Sequence, residues 1–389
     1  MGAREIVAVP TAASGPLRVL HLVQNLNYGG MERLLFEMVR LADRDQFETH
    51  VMPLSYVGRF GDGMSEFASV RVASPMGRFS LLRPASLARD IAAIAPDVVH
   101  THSGVWYKAS LAARIAGVPW LIHTEHGRAV DDPWIARTLD GIASRRTDVV
   151  VAVSDAVGEI LRREVSRRPD RVCVIRNGVD TELYRPLPDD GALRQELGLS
   201  STGPIIGSIG RLEPIKGYEV MVDAFAELQR GWQSSAERPV LVIAGDGSER
   251  TALETRAEAA GCSSYIRWLG WTDDVQRLHR AFTVFTMSSH SEGTSISLLE
   301  AMSAGLCPVV TDVGGNAAVL GTALRHRLIP RANSTALCRA WIEALDQARA
   351  REVDARVARS RVTSEFTLEA SVRSYERLYC RAGSSAHSE

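Results

Sequence analysis

The sequence alternates between two kinds of segment, and this alternation restricts the fold more than any other feature. Short runs rich in Val and Ile are separated by longer stretches whose apolar residues recur at helical spacing. The first half contains the runs LRVLHLV, DVVHTH, WLIHTEHG and DVVVAVS, and the helical stretches GMERLLFEMVRLA and LLRPASLARDIAAIA. Apolar strands that alternate with helices are typical of a parallel sheet covered on both faces. The pattern therefore predicts a doubly wound α/β fold.

The alternation restarts in the second half, which predicts a second domain. After RNGVDTELYRPLPDDG come PIIGSIG, PVLVIAG, SYIRWLG, FTVFTMSS and LCPVV. A chain of 389 residues exceeds the roughly 250 to 300 at which one core stops growing. We predict two Rossmann-like domains, 1–187 and 188–365, that face one another across a cleft, with a C-terminal helix at about 366–383 packing back on the first. Residues 1–15 and 381–389 are predicted to lack regular structure.

The charge balance and the cysteines exclude several classes of protein. The formal net charge is -1, so the chain has no overall field that would attract nucleic acid. The five cysteines never form a Cys-x-x-Cys pair, which argues against a disulfide framework or a zinc site. With no signal-peptide pattern and no apolar run of about 18 residues, the chain is expected to be soluble and cytoplasmic. Peripheral contact with the inner face of the membrane stays open.

The stretch SEGTSISLLEAMSAGLCPVV carries two glutamates with seven residues between them. Glu292 is predicted to lie in the loop after the strand FTVFTMSS, and Glu300 in the helix ISLLEAMSAG. Ser297-x-x-Glu300 has the spacing of a capping box, so a local structural role for Glu300 is one interpretation. A helix that begins at a sheet edge also presents free backbone N–H groups, here those of Ser295 and Ile296, and these suit a phosphate.

Two cations are predicted at the same edge of the second sheet. The stretch GSIGRLEPIKGYEVMVDAF follows a predicted strand and precedes a helix, and it contains Arg211 and Lys216. The chain has only two lysines, Lys108 and Lys216, so a lysine kept among so many arginines indicates a need for a compact ammonium. A solvated lysine at a helix start is the alternative. Two cations beside a helix N-terminus suit a diphosphate.

Five segments together resemble a retaining glycosyltransferase of family 4 with the GT-B fold. They are GRLEPIKG, IAGDGSERTALE, LGWTDDV, SEGTSISLLEAMSAGLCPVVTDVGG and LNYGGMERLL, and the resemblance spans nearly the whole chain. It implies that Glu292 contacts the donor sugar and that Glu300 binds the ribose hydroxyls. It also implies that Arg211 and Lys216 neutralise the donor diphosphate, whose leaving group needs such cations as its bond breaks.

The same resemblance implies the function. Gly29 and Gly30 match the glycine loop with which the first domain approaches the diphosphate. The expected reaction moves a sugar from a nucleotide-diphosphate sugar to a saccharide or lipid-linked acceptor with retention, in polysaccharide or glycoconjugate biosynthesis. The family often has a glycine where this chain has Ser295 and a glutamate where it has Ala318. A nucleotide-sugar epimerase on the same fold, or a non-catalytic nucleotide-sugar-binding scaffold, is the alternative.

Histidines are concentrated at two predicted strand ends of the first domain. The stretches VVHTHSGVWYKAS and LIHTEHGRAVDDP contain His100, His102, His123, Glu125 and His126. A metal site is one interpretation, because His-x-His puts two rings on one face of a strand. Histidines satisfied by backbone groups are the favoured interpretation for His100 and His123. The resemblance implies that His126 reaches the reacting sugar.

Aromatic and basic residues of the first domain suggest how an acceptor is met. Trp106, Tyr107 and Trp134 flank the histidine-rich strand ends, and their flat faces suit a sugar ring or a lipid-linked acceptor, with core packing as the alternative. The basic stretch from Ile160 to Arg171 either rests on anionic lipid or forms a solvated helix face.

We expect no metal and no further cofactor beside the nucleotide sugar. A divalent metal would need a carboxylate pair at the cleft. Asp43 and Asp45 lie at the end of a helical stretch, and Asp273 and Asp274 fall in a loop expected beside the nucleotide base. The expected charge compensation for the diphosphate therefore comes from side-chain cations and backbone N–H groups.

Overall fold

The structure is a computed structural model that describes residues 15–27, 29–127, 133–233 and 237–385. The predicted unstructured residues 1–14 and 386–389 lie outside these ranges. The described chain forms two compact units. The N-terminal unit contains the residues up to His126, those from 133 to Ile175, and those from Glu369 onward, and the C-terminal unit consists mainly of Arg176 to Leu368.

The N-terminal unit is built on a seven-stranded parallel sheet with the order β3-β2-β1-β4-β5-β6-β7. Its strands are β1 Leu17–Val23, β2 Phe47–Pro53, β3 Ser69–Val70, β4 Val98–His102, β5 Trp120–Glu125, β6 Val149–Ala152 and β7 Val172–Val174. The helices are α1 Gly30–Leu41, α2 Arg59–Met64, α3 Ala85–Ile94, α4 Trp106–Ile115, α5 Trp134–Ser144, α6 Asp155–Ile160 and, at the chain end, α15 Leu368–Ser385. The four strands predicted here are confirmed, whereas β2, β3 and β7 were not predicted.

The C-terminal unit repeats this architecture with six parallel strands in the order β10-β9-β8-β11-β12-β13. The strands are β8 Ile205–Ile209, β9 Val240–Ala244, β10 Ile266–Gly270, β11 Val284–Met287, β12 Cys307–Thr311 and β13 Leu328–Ile329. The helices are α7 Ala192–Glu196, α8 Tyr218–Gly231, α9 Arg250–Ala259, α10 Val275–Ala281, α11 Ile296–Ser303, α12 Asn316–Leu320, α13 Ser334–Asp346 and α14 Ala348–Glu365. One apolar core lies on each face of this sheet. The predicted fold class, two Rossmann-like parallel-sheet domains, is confirmed.

Local sequence explains two differences from the predicted elements. The helical stretch predicted to start at Leu81 begins at Ala85, because Pro84 occupies the N-cap and its fixed backbone sets the helix start. The C-terminal helix continues to Ser385, so the prediction that residues 381–385 lack structure was wrong. Within the described ranges, no helix has both the length and the apolar character needed to cross a membrane.

The segment after Ile175 packs with the C-terminal unit. Val179 and Tyr184 are buried in that unit's core, and Val179 forms a β-bridge with Thr367. The division between the units therefore falls between Ile175 and Arg176, whereas the sequence places it between residues 187 and 188. The Pro-rich composition of the segment after Ile175 resembles that of an exposed linker, but two apolar side chains of this segment are buried.

Each sheet has one place where the strand order reverses, and this is where open α/β sheets bind ligands. The reversal lies between β1 and β4 in the N-terminal unit and between β8 and β11 in the C-terminal unit. The segment that carries Lys216 follows β8, and the segment that carries Glu292 follows β11. The residues predicted to bind a donor therefore sit at the carboxyl ends of the two strands that flank the reversal.

Candidate functional site

Lys216 and Glu292 form an ion pair at the carboxyl edge of the C-terminal sheet. The Nζ atom of Lys216 lies 2.6 Å from Oε1 of Glu292, and the Ser289 hydroxyl donates to the same oxygen at 2.6 Å. The glutamate side chain is 7% exposed and the lysine side chain 22% exposed. A short contact that is mostly withdrawn from water is a charge-assisted hydrogen bond, and it holds both groups in one geometry. Two residues that the sequence placed only at the same edge are thus joined directly.

The two loops that carry this pair are tied together by further contacts. The His290 backbone N–H donates to the Ile215 carbonyl at 2.8 Å, and the His290 ring lies 2.7 Å from the Glu219 carboxylate. Gly217 has a φ of +61°, and a Cβ at that position would overlap the Ser288 carbonyl oxygen. A glycine is therefore required directly after Lys216, and the backbone itself sets the position of the ammonium.

Helix α11 begins two residues earlier than a Ser297–Glu300 capping box would need. Ser295 is its N-cap, and the Ser295 hydroxyl accepts from the Leu298 N–H at 3.3 Å. Ser297 is therefore the second helical residue, which excludes the alternative interpretation of a Ser297–Glu300 capping box, and the helix starts at Ile296 as the segment ISLLEAMSAG predicts. Glu300 is the fifth residue of the helix and is only 4% exposed. Glu300 is therefore a buried residue within the helix and lies beyond its capping positions.

The start of α11 offers backbone N–H groups beside the ion pair. The amides of Ser295 and Ile296, at the N-cap and first helical positions, have no carbonyl to bond within the helix. Glu292 lies three residues before the N-cap, so the chain brings these amides to the strand end that carries the carboxylate. The partial positive charge of a helix N-terminus favours an anion there.

Arg211 lies two residues after β8, and its side chain is exposed. The acidic pair that follows β10 is used in local structure: Asp273 accepts from the Trp271 indole N–H at 3.2 Å, and Asp274 caps α10 by accepting from the Arg277 N–H at 3.2 Å. In the sheet order β9 lies between β10 and β8. The strand that precedes Arg211 and Lys216 is therefore not a neighbour of the strand that precedes Asp273 and Asp274.

The loop after β12 supports the Glu292 loop from the other side. Gly314 has a φ of +53°, and a Cβ there would overlap the Glu292 carbonyl oxygen. The Gly315 N–H donates to the Gly293 carbonyl at 2.9 Å. Ala318 follows in α12, and its carbonyl accepts from Arg361 at 2.8 Å. Where the resembling family often has a carboxylate, this chain has a methyl group and an arginine-bound backbone.

Three histidines form a hydrogen-bonded chain at the strand-order reversal of the N-terminal sheet. His102 Nδ1 lies 3.0 Å from His126 Nε2, and His102 Nε2 lies 3.1 Å from His21 Nδ1. His126 Nδ1 has no hydrogen-bond partner among the described residues. Because a neutral imidazole carries one N–H, each histidine in this row can donate only once, so all the N–H groups point in the same direction along the row. The Nδ1 atom, unbonded within the described part of the chain, leaves the His126 end able to bond a ligand.

Neighbouring histidines bond side-chain hydroxyl groups, whereas the sequence suggested backbone groups as their partners. His100 bonds the Tyr379 hydroxyl at 2.8 Å and the Thr124 hydroxyl at 2.7 Å. His123 lies 2.9 Å from the Thr101 hydroxyl and stacks on the Trp106 indole at a centroid distance of 3.8 Å. These rings are part of the folded core of the N-terminal unit.

Burial keeps this histidine cluster uncharged. It lowers the pKa of His21 to about 3 and the pKa of His126 to about 4, and it holds the pKa of His100 and His102 well below their usual range, with the neighbouring histidines adding to the effect. Ligand nitrogens of His21, His100 and His102 lie within 4.8 Å of one another, the spacing of a candidate metal site. Both ring nitrogens of His100 bond hydroxyl groups and the other two rings bond each other, so hydrogen bonding already accounts for the cluster.

The remaining predicted residues lie at several places in the N-terminal unit. Gly29 is the N-cap of α1 with an extended backbone, φ 175°, and Gly30 begins that helix at the carboxyl end of β1. Asp43 accepts from the Asp45 N–H at 3.0 Å, which closes a local turn. The glycine loop therefore lies at the strand-order reversal of the N-terminal sheet.

The three flanking aromatics have different environments. Trp106 is buried, and its indole N–H donates to the Thr147 hydroxyl at 2.9 Å, so it belongs to the core. Tyr107 is partly buried, and its hydroxyl donates to the Leu81 carbonyl at 3.1 Å. Trp134 is 75% exposed at the start of α5. Of the three, Trp134 presents most of its surface to solvent.

Comparison with solved structures agrees with this architecture. Anabaena HepE in complex with UDP and glucose matches with a TM-score of 0.82 and 21% identity, covering 93% of this chain and 99% of that one. WaaG, described as a glycosyltransferase involved in lipopolysaccharide biosynthesis, matches with a TM-score of 0.70 and 17% identity over 92% of this chain and 98% of that one. Similarity at these identities shows a shared fold, which is GT-B.

Comparison with sequence families decides the assignment. Residues 28–183 match the family described as Glycosyltransferase Family 4, and residues 189–361 match the family described as Glycosyl transferases group 1. The chain is a family 4-like glycosyltransferase group 1 protein. A UDP-Gal:alpha-D-GlcNAc-diphosphoundecaprenol alpha-1,3-galactosyltransferase of Escherichia coli is 31% identical over 229 residues, which are 57% of this chain and 59% of that enzyme. The chain thus matches less than two thirds of that relative's length.

In this family 4-like chain, two contributors to the site were not predicted from the sequence. Ser289 bonds Glu292, and its only sequence signal is its place in the loop that follows a predicted strand. His21 lies inside the predicted strand LRVLHLV, and the parallel register sets it opposite His100. A histidine inside an apolar strand is a weak signal, because its partner depends on which strand lies beside it.

Proposed function

We propose that this chain transfers a glycosyl residue from a nucleotide-diphosphate sugar to a saccharide or lipid-linked acceptor with retention of anomeric configuration. The proposed setting is the biosynthesis of a polysaccharide or glycoconjugate. The observation that carries the proposal is the Lys216–Glu292 ion pair at the strand-order reversal, beside the start of α11. It combines a carboxylate for a sugar with a cation and backbone amides for a diphosphate.

The proposed chemistry assigns the positive groups to the leaving diphosphate. As the bond between the anomeric carbon and the diphosphate breaks, Arg211, Lys216 and the α11 amides stabilise the negative charge that develops on the phosphate oxygens. The acceptor hydroxyl oxygen then bonds the anomeric carbon on the face that the diphosphate leaves. Its proton passes to the leaving phosphate, so the step needs no separate protein base.

The proposed role of Glu292 follows from its contacts. One carboxylate oxygen accepts from both Lys216 and Ser289, which fixes the side chain and leaves the second oxygen to accept from sugar hydroxyls. Glu300, buried five residues into α11, is assigned to the ribose hydroxyls of the nucleotide. In this assignment Glu292 orients the sugar and Glu300 contributes to nucleotide affinity. Substitutions of the two residues are therefore predicted to have different kinetic effects.

His126 is assigned to the reacting sugar from the N-terminal unit. Its Nδ1 atom is the end of the histidine chain that lacks a partner among the described residues, and its low pKa keeps the ring neutral at physiological pH. A neutral imidazole held by His102 bonds a sugar hydroxyl without adding charge to the site. Gly29 and Gly30 are assigned to the approach of the backbone to the diphosphate.

The relatives suggest which donor and acceptor to test first. Anabaena HepE was solved with UDP and glucose, and the name of the E. coli relative specifies UDP-Gal and an acceptor carried on diphosphoundecaprenol. We therefore propose a uridine diphosphate hexose as donor and a lipid-diphosphate-linked sugar as acceptor. A thermal-shift screen of nucleotide sugars tests the donor, since a ligand at about 100 times its Kd stabilises by about 2.7 kcal/mol.

The reaction is proposed to need no divalent metal. Side-chain cations and helix amides are expected to offset the diphosphate charge, and the described acidic pair Asp273 and Asp274 is engaged in local hydrogen bonds. Turnover should therefore survive excess chelator. Loss of turnover with EDTA and recovery with Mg²⁺ or Mn²⁺ would overturn this part of the proposal.

The central experiment measures product formation by Lys216→Ala and Arg211→Ala variants. Loss of one contact to the developing phosphate charge should raise the barrier by about 2.7 to 4 kcal/mol, a fall in kcat of roughly 100- to 1,000-fold. Lys108→Ala and Arg349→Ala remove a lysine and an exposed arginine elsewhere, and they should keep wild-type turnover. Near-normal turnover in both site variants would refute the assignment.

Product analysis separates the proposal from its alternatives. Donor incubated with acceptor should give a glycoside whose anomeric proton coupling in a fresh NMR spectrum matches the donor's configuration. An altered sugar formed from donor alone would identify an epimerase, and binding without product a scaffold. An inverted product would remove the retaining mechanism and make His126 the first candidate for a general base.

A further inference from the structure

A short loop of the N-terminal unit presents large apolar side chains to solvent. In the segment 77–83, between β3 and α3, Phe79 is 65% exposed, Leu81 50% and Leu82 79%. Three such residues within four positions form a concentrated apolar surface, whereas single exposed apolar residues are ordinary on proteins. An apolar surface of this kind marks a place where the protein meets a partner or a membrane.

The loop is held in shape by its own contacts. Backbone bonds from Ser80 to Gly77 and from Leu82 to Phe79, at 3.0 and 2.9 Å, form consecutive turns. The Ser80 side chain points inward, and the Tyr107 hydroxyl of α4 donates to the Leu81 carbonyl. The apolar side chains are therefore presented by a loop with a defined conformation, which reduces the ordering cost of docking.

The exposed charge in the stretch around the loop is mainly positive, and the adjacent Asp90 is buried and accepts from the Ser74 N–H and hydroxyl. Between Phe67 and Arg89 the sequence contains four arginines, at 71, 78, 83 and 89, and no aspartate or glutamate. All four are exposed, and within the described part of the chain none forms an ion pair. Apolar side chains flanked by unpaired cations match an anionic lipid surface, in which the apolar groups enter the acyl boundary and the arginines meet the headgroups.

Helix α5 presents a second exposed apolar site at the same sheet edge. Helix α3 packs on α4 and α4 packs on α5, and all three begin at the carboxyl edge of the parallel sheet. Trp134, 75% exposed, and Ile135, 53% exposed, are the first two residues of α5. Tryptophan favours the boundary between water and acyl chains. The loop before α3 and the start of α5 thus carry exposed apolar groups at the same sheet edge, whereas α4 between them begins with the buried Trp106.

The basic stretch from Ile160 to Arg171 is less suited to lipid. Arg163 pairs with Glu159, Arg168 with Asp170 and Arg171 with Asp148. A cation that already has a carboxylate partner contributes less to attraction by an anionic surface. The structure therefore separates the two candidate surfaces, which the sequence alone did not.

We propose that the segment 77–83, with Trp134 at the start of α5, is a membrane-docking surface that inserts Phe79, Leu81 and Leu82 into an anionic lipid bilayer. Docking by this surface does not depend on the proposed transfer reaction. It adds a second recognition, of the bilayer itself, to a chain whose proposed acceptor is lipid-linked.

The test is co-sedimentation of the full chain with unilamellar vesicles, without donor or acceptor. Wild-type protein should bind phosphatidylcholine vesicles that contain about 30% phosphatidylglycerol and bind pure phosphatidylcholine much more weakly. The Phe79→Ser/Leu82→Ser variant should lose at least roughly tenfold in partition coefficient. The Arg78→Gln/Arg83→Gln variant should lose roughly fivefold for each arginine, and its binding should depend less on salt.

Matched controls separate this surface from general stickiness. Val353→Ser removes a half-exposed apolar residue of the C-terminal unit, and Arg163→Gln/Arg168→Gln removes cations of the basic stretch. Both should bind vesicles like the wild type. Circular dichroism and melting temperature check each fold, and Leu82→Asp alone provides a second test if the double variant misfolds.

Three outcomes would overturn the proposal. They are wild-type protein that does not sediment with anionic vesicles, loop variants that bind as well as the wild type, and loss of binding only in the Arg163→Gln/Arg168→Gln variant. If the loop variants instead abolish self-association in gel filtration while vesicle binding is absent, the surface contacts a second copy of the chain. Glycosyl transfer to a water-soluble acceptor, measured in parallel, reports on the proposed function separately.

Discussion

Replacing Lys216 by methionine should destabilise the C-terminal unit more than removal of an ordinary ion pair. At an effective dielectric constant of about 20, unit charges separated by the 2.6 Å between Nζ and Oε1 attract by roughly 6 kcal/mol. Desolvation cancels much of this attraction, and a net charge-assisted bond contributes about 1.5 to 3 kcal/mol. Because Glu292 is only 7% exposed, its carboxylate would stay withdrawn from water with Ser289 as its remaining partner. We expect Lys216→Met to cost about 3 kcal/mol.

The assay is a double-mutant cycle measured by urea unfolding of the full chain, followed by tryptophan fluorescence. Glu292→Gln should cost less, about 1 to 2 kcal/mol, because the 22% exposed ammonium of Lys216 can turn to water. The double variant should cost less than the two single variants together by about 1.5 to 2 kcal/mol. For a unit of this size, Lys216→Met should lower Tm by roughly 6 to 12 °C.

A second ion pair in the same unit provides the control. Arg256 and Asp223 also lie 2.6 Å apart, but their side chains are 46% and 40% exposed. Equal N–O distance with different burial isolates the effect of solvent, so the coupling energy of this exposed pair should stay below about 1 kcal/mol. Coupling between Lys216 and Glu292 that is no larger than the control would refute the argument from burial.

Three other predictions concern individual residues of the two sites. Glu300→Gln should raise the donor KM about tenfold with little change in kcat, since one charged hydrogen bond to the ribose is lost; a lower Tm with unchanged kinetics would instead show a purely structural role. His102→Leu should lower kcat about tenfold because His126 loses the bond that orients its ring, and an unchanged kcat would show that this bond does not position it. The unfolding free energy should fall as pH drops below 6.5, because the buried ring of His21, with a pKa of about 3 in the folded chain, binds its proton only on unfolding. Between pH 7.5 and pH 5 the unfolding free energy should fall by about 2 kcal/mol because of His21, and urea titrations at the two pH values measure this loss. Greater stability at pH 5 than at pH 7.5 would contradict a buried neutral ring.

The fold class follows from local properties of the sequence. The apolar runs LRVLHLV and PIIGSIG contain β1 and β8, and Gly305 ends the helix that carries Glu300 with a φ of +79°. Such signals act within a few residues, because periodicity, helix stops and strand propensity depend on neighbours in the chain. The short strands β3, β7 and β13 escaped prediction because two or three residues carry too little periodicity to be recognised.

Local signals also leave open features that depend on a choice between neighbours. The spacing Ser297-x-x-Glu300 allowed a capping box as an alternative to a helix that begins at Ile296. In the folded chain the cap is Ser295. The decision rests on where the backbone leaves the sheet edge, which is a property of the loop and not of the spacing.

Only the tertiary structure decided which residues meet. Lys216 and Glu292 are 76 positions apart, and they form a pair because β8 lies beside β11 in the sheet. His21 and His102 meet because β1 lies beside β4, and Tyr379 reaches His100 from the last helix of the chain. Strand order is set by how whole helices pack on the sheet, a non-local balance of buried apolar surface that no short pattern encodes. The sequence alone therefore determined which residue types end each strand, while the packing of the strands decided their partners.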